Sequence, residues 1–295
     1  MIRPLGGLAF CRVGCLVLVL AATSAGAQET LNRGLSPERE NELAQKHDAY
    51  WGALAPENLA KPRPKPPFNL TGTWFINLRH SFADFMFGPP YPHFYAAGQQ
   101  AMKEAAAARA AHKSYRDASG QCWPIGMPMI LTRVWPIAII QMPTAVYMID
   151  SFFDSLRVIY LDREHTPFDI SIDTYNGESI GHWTRDALLV DTRYFATDHH
   201  YIDMGIPVSD KLQIKERITL ADGGQTLVDE FTMTDPDMWQ GEWKSTKRWI
   251  REDHSDIPEN ECLPNLNANL PSTEQGHSEA EKNSHVQSSS SASGR

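Results

Sequence analysis

Apolar and polar positions divide the chain into segments with different periods. Ser36-Pro37-Glu38-Arg39 places an N-cap residue before a proline at the first helical position, which predicts a helix over 36–54. An alanine-dominated stretch predicts a second helix over 96–115. Beyond it the period changes: runs rich in β-branched and aromatic residues fall at 137–141, 146–151, 156–161, 179–184, 188–195, 211–220, 226–234 and 239–251. Turn residues such as Met142-Pro143-Thr144 separate them, and 71–78 adds one more. About eight to nine strands at short spacing predict a mainly β, antiparallel protein, a meander closing into a barrel or a sandwich.

One hairpin yields a register. Ala221-Asp222-Gly223-Gly224 reads as a tight turn, and a two-residue loop pairs Leu212 with Met233, Ile214 with Phe231 and Ile218 with Leu227, apolar on both sides. The opposite face then pairs Lys215 with Glu230 and Gln213 with Thr232. In that register Glu216 and Asp229 sit directly opposite each other in the middle of the apolar face.

The two ends of the chain change the picture. Arg3 and Arg12, an apolar run over 13–22 and Ala25-Gly26-Ala27 form the pattern of a secretory signal over 1–27, too short to span a bilayer as a helix. The expected location is periplasmic or secreted, with no membrane span. Loss of those residues leaves 25 basic against 36 acidic side chains, a net charge of −11. With no basic run, nothing marks a nucleic-acid partner. Residues 28–68 hold the first helix and Lys61-Pro-Arg-Pro-Lys-Pro-Pro67, a stiff extended linker. The β domain is expected over 69–265 with a helical insertion at 94–118, and the polar, serine-rich 266–295 is expected to be disordered. Cys122 and Cys262, the two cysteines after residue 27, read as a disulfide in an oxidising compartment, or as two free thiols.

The candidate chemistry is sparse. Close carboxylates on an inward face, Glu216 and Asp229, raise at least one pKa or share a cation, and such pairs can do acid–base work. A structural ion network with Arg157, Lys244, Lys247 and Arg248 is the competing reading. His182 and Asp191 lie near each other across the hairpin around Thr184-Arg185-Asp186, a second acid–base candidate with no nucleophile spaced to complete a triad. His199-His200 and His165 fall in loops, where solvation is the simpler reading, and no metal-ligand spacing occurs. No cofactor fingerprint is present. The eight tryptophans, with the aromatic loop 82–95, can line a pocket or fill a core.

Gly72-Thr73-Trp74 on the first strand, with Lys247-Arg248 on the last, resembles the lipocalin/calycin signature, in which a tryptophan packs under an arginine of the final strand. The chain also resembles a group of secreted bacterial proteins of unassigned function, through Cys122-Trp-Pro-Ile-Gly-Met-Pro128, Ser179-Ile-Gly-His-Trp183 through Leu189-Val-Asp-Thr192, and Asp235-Pro236 followed by a tryptophan-rich strand. It departs from that group in having Pro207-Val208 before Ser209. The resemblance implies an exported calycin-like barrel. The functional expectation is a small apolar or aromatic molecule held inside it by Trp74, Arg157, Trp183, Trp243, Lys247 and Arg248. A cofactor-independent isomerase, hydratase or hydrolase is the alternative, and an envelope-assembly partner docking through 28–67 a third.

Overall fold

Nine strands do close into one barrel. The computed structural model describes residues 36–39, 41–42, 52–76, 87, 90–113, 115–116, 118–161, 163–202 and 205–262. The segment expected to be a secretory signal and the serine-rich tail lie outside these. The elements in chain order are α1 (Pro56–Leu59), β1 (Gly72–Ile76), β2 (His93–Phe94), α2 (Ala96–Ala110), β3 (Ile137–Gln141), β4 (Ala145–Asp150), β5 (Ser155–Tyr160), β6 (Glu178–Trp183) and β7 (Leu188–Arg193). Then follow β8 (Tyr201–Ile202), β9 (Ile206–Pro207), β10 (Gln213–Ala221), β11 (Thr226–Thr234), β12 (Trp239–Gln240) and β13 (Trp243–Arg251). Round the barrel the order is β1-β13-β11-β10-β7-β6-β5-β4-β3, and β3 pairs with β1 to close it.

The barrel is not a pure meander. β5 and β6 run parallel, Ile159 beside Ser179, because the connection over 161–177 returns the chain to the starting end. Of the helix expected over 36–54, residues 37–39 and 41–42 are helical, but 52–54 are not. Pro56 holds Ala55 extended (ψ 132°), and the chain restarts as the single turn α1. The long strand expected over 239–251 breaks at Gly241 (φ 76°), and β12 pairs with β2 instead.

The β10–β11 hairpin also differs from expectation. Its loop is four residues long, 222–225, with Asp222, Gly223 and Gly224 all at positive φ. Ala221 therefore pairs with Thr226, Ile214 with Met233, Lys215 with Thr232 and Arg217 with Glu230. The shift relative to a two-residue turn is two residues, so the inward and outward faces are preserved while the partners change.

Alternation sends Trp74, Ile137, Val146, Ile159, Leu188 and Ile218 inward, all buried. Trp74 is covered by an arginine of the last strand, but it is Arg251 rather than Arg248. Register pairs Trp74 with Arg251, whose guanidinium carbon lies 4.2 Å from the indole centroid. Gly72 (φ 152°) clears the way, since a Cβ there would strike the Arg251 Nη1. Arg248 instead lies on the outer face beside Val228.

The barrel's two ends differ. One is covered by an edge-to-face aromatic cluster of Phe87, Phe94, Trp239 and Trp243, by α2, and by the loop that follows Cys122. Cys122 and Cys262 form a disulfide there, and the Asn260 carbonyl accepts from the Phe153 N–H at 3.0 Å. The other end is crossed by the proline-rich segment. We expect C122S/C262S to lower the unfolding free energy by about 4–5 kcal/mol in urea titration, because the bridge closes a 140-residue separation. A loss below about 1 kcal/mol would show that noncovalent contacts alone hold this closure.

Candidate functional site

Inward positions near the middle of the barrel carry charge. Arg157 (β5), Glu216 (β10), Asp229 (β11) and Lys247 (β13) are all at most 5% exposed. Each falls on its strand's inward row: Ile159 follows Arg157, Trp249 follows Lys247, Ile214 and Ile218 flank Glu216, and Leu227 and Phe231 flank Asp229. Ser179 and Thr192, fully buried and cross-strand neighbours, complete the layer.

Arg157 organises it. Its Nη1 donates to Glu216 Oε1 at 2.8 Å and its Nη2 to Glu216 Oε2, a two-point pairing. Its Nε donates to Ser179 Oγ at 3.1 Å and its Nη2 also to Thr192 Oγ1 at 3.0 Å, while the two hydroxyls bond each other at 2.9 Å. Burial disfavours the guanidinium charge, yet the facing Glu216 carboxylate outweighs it and raises the Arg157 pKa.

Asp229 is the contrast. Glu216 lies diagonal to it rather than opposite, because the longer turn pairs Glu216 with Phe231 and Ile218 with Asp229. Neither Asp229 oxygen has a well-formed hydrogen bond among the described residues, although Glu216 lies near enough to share a proton carried by Asp229. Burial first, and then the Glu216 charge, push its pKa well above the usual carboxylate range, with Arg157 pulling the other way. Lys247 is its cross-strand neighbour, and the Lys247 Nζ sits 4.9 Å from the Phe87 ring centroid.

The tryptophans separate by what their N–H groups do. Trp74 donates to the Leu70 carbonyl at 2.9 Å and Trp243 to the Phe87 carbonyl at 3.0 Å, so both are framework. Trp183 is half-buried at the rim, edge-on to Phe68 at 5.2 Å, and its indole N–H has no partner among the described residues. Register places Trp183, Leu188, Ile218 and Asp229 on successive strands of one row.

His182 and Asp191 do not form a pair. Register sets His182 against Leu189 and Asp191 against Ile180, both outside the barrel in a groove of about 650 Å³. Asp191 is instead held by Arg193 (2.9 and 3.0 Å) and Gln213 (2.8 and 3.0 Å). His165 lies between Glu178 (3.0 Å) and Asp191 (3.5 Å). Burial disfavours its charge, but these two carboxylates prevail and raise its pKa. His165 is thus more than loop material, because Glu178 and Asp191 approach it from β6 and β7.

His199 and His200 point apart, but not as adjacent extended residues: His199 sits in a turn at φ 51°. His199 stacks on Trp123 at 4.3 Å, while His200 is fully buried between the carbonyls of Ala196 (2.7 Å) and Met127 (2.8 Å). His200 is therefore a staple between two loops rather than a solvated side chain. Among the described residues no three His, Cys, Asp or Glu side chains converge on one metal position.

Two participants escaped the sequence pattern, Ser179 and Thr192, which are ordinary strand residues until the parallel β5–β6 pairing brings Arg157 over them. Asp150 ends β4, where burial raises its pKa to about 7, against a 2.7 Å hydrogen bond from the Phe152 N–H. Comparison with protein families and with curated proteins yields no match.

Asp229→Asn tests the electrostatics. An acid whose folded pKa lies above its unfolded value of about 3.9 destabilises the fold increasingly as pH rises past that value. We expect Asp229→Asn to stabilise the protein by about 1–3 kcal/mol at about pH 8, and the gain to shrink towards about pH 4 in urea titration. A net loss at about pH 8 would mean that a charged, paired Asp229 contributes to stability.

Proposed function

We propose that this is an exported barrel protein whose interior binds a small, largely apolar or aromatic molecule. The observation that carries this reading is Asp229, a carboxyl group 2% exposed with neither oxygen in a well-formed hydrogen bond among the described residues. An orphaned buried acceptor is destabilising when left alone and useful when a ligand hydroxyl or N–H reaches it. The surroundings support the same reading. Phe231, Leu227 and Ile218 supply apolar contact, while Arg157 is already satisfied by Glu216, Ser179 and Thr192 and holds the polar layer rigid. Export rests on the leader-like first 27 residues and accords with the disulfide.

One observation favours a second reading. A carboxyl group kept neutral by burial and by a neighbouring carboxylate can act as a general acid, so Asp229 would protonate a bound substrate in a cofactor-independent isomerisation or hydration. Glu216 is then a positioning residue, since both its oxygens are engaged by Arg157.

Native mass spectrometry of the protein recovered from periplasmic expression tests the binding reading. We expect a noncovalent mass that disappears on denaturation, and Asp229→Leu to weaken its retention about 10- to 100-fold, the worth of one buried hydrogen bond. An apo mass for the parent chain, with no aromatic alcohol or phenol retained on titration, would contradict it. Retention unchanged in Asp229→Leu with loss of turnover would favour the acid-catalyst reading.

A further inference from the structure

At the end opposite the disulfide, the proline-rich segment packs against the barrel. It lies across the barrel rim and leaves a cleft of about 680 Å³ between itself and the turns β3–β4 and β6–β7. The segment is pinned from three sides. The Arg63 Nη1 donates to the Asn58 carbonyl at 2.6 Å and its Nη2 to Asn58 Oδ1 at 2.7 Å. Gln141 accepts from the Leu70 N–H at 2.8 Å and donates to the Phe68 carbonyl at 3.3 Å. The Thr144 hydroxyl reaches the Ala53 carbonyl at 2.5 Å. Four prolines within 61–67 stiffen the span further, so the cleft exists before anything enters it.

The lining has two chemistries. Trp183, Leu161, Met142, Pro143 and Pro66 make an apolar floor and walls. Among the described residues, Lys61, Arg63, Lys65 and His182 supply the only ionisable groups of the lining, and no acidic side chain lines the cleft. This bias runs against the composition of the chain, in which 36 acidic residues outnumber 27 basic ones. Arg63 is engaged with Asn58, but Lys61 and Lys65 are exposed and have no ion pair among the described residues. Proline lacks a backbone N–H, so this wall offers an incoming anion little but the lysine ammonium groups.

We infer that this cleft is a second binding site, specific for an amphipathic organic anion: an aromatic or alicyclic ring bearing a carboxylate or sulfonate. The ring lies on the Trp183 face and the prolines, and the anion meets Lys61 and Lys65. Trp183 is suited to this because the edge-on Phe68 fixes its plane. The site stands whether or not the interior takes a ligand of its own.

Calorimetric titration of the full chain with 2-naphthoate and with the neutral 2-naphthalenemethanol tests it. The carboxylate should bind about tenfold more tightly than the alcohol at low salt, and the difference should fall severalfold at about 0.2 M salt. K61E/K65E changes two exposed side chains and should abolish the preference without shifting the melting temperature. W183L should weaken both probes. Equal affinity for the two probes, or an unchanged preference in K61E/K65E, would overturn the site. Weakening by Asp229→Leu but not by K61E/K65E would assign the binding to the interior and overturn it equally.

Discussion

A guanidinium and a carboxylate meet inside the barrel, and the rest of the interior is arranged around them. Neither charge could stand there alone: an unpaired buried ion costs several kcal/mol, and the pairing repays this only with good geometry and satisfied hydrogen bonds. Arg157 meets both conditions through its two-point contact with Glu216 and its bonds to Ser179 and Thr192. These contacts join β5, β6, β7 and β10 across the parallel β5–β6 seam, where the pairing is shortest. The pair therefore fixes strand order at the place where local sequence does least to specify it.

Asp229 takes its character from that pair. With Glu216 committed to Arg157, Asp229 has a negative neighbour without a share of the guanidinium's hydrogen bonds. Its proton is held by burial and by Glu216 together. An apolar side chain would fill the position at lower cost. Retention of a carboxyl group there is the feature that the proposed interior ligand explains. The rim cleft is a different kind of site, open, basic and preformed by proline, and it shares with the interior only the residue Trp183 at their boundary.

Much of the fold was legible because its signals are local. All nine barrel strands follow from β-branched runs between turn residues, and inward positions such as Trp74, Ile214 and Glu216 follow from alternation. Quantities set by geometry between elements were less accessible. The parallel β5–β6 pairing has no local mark, so Ser179 and Thr192 gave no hint of a role. The β10–β11 turn hid its length behind Asp222-Gly223-Gly224, which suits a two-residue or a four-residue loop equally. That two-residue shift kept Glu216 and Asp229 on the right face but gave each the wrong partner. The Trp74 cover went to Arg251 because Arg248, adjacent to inward Lys247, faces outward by alternation, while the β1–β13 register sets Arg251 opposite Trp74. His182 and Asp191 look adjacent along the hairpin, yet their strands place them diagonally on the outer wall.

A double-mutant cycle on Arg157 and Glu216 addresses the central interaction most directly. Stability in urea would be measured for Arg157→Met, Glu216→Leu and the double variant. The account predicts that each single change costs about 3–5 kcal/mol by stranding the other charge, and that the double variant costs far less than the sum. Additive losses, or single losses below about 1 kcal/mol, would contradict it and show that the barrel interior does not depend on this pair.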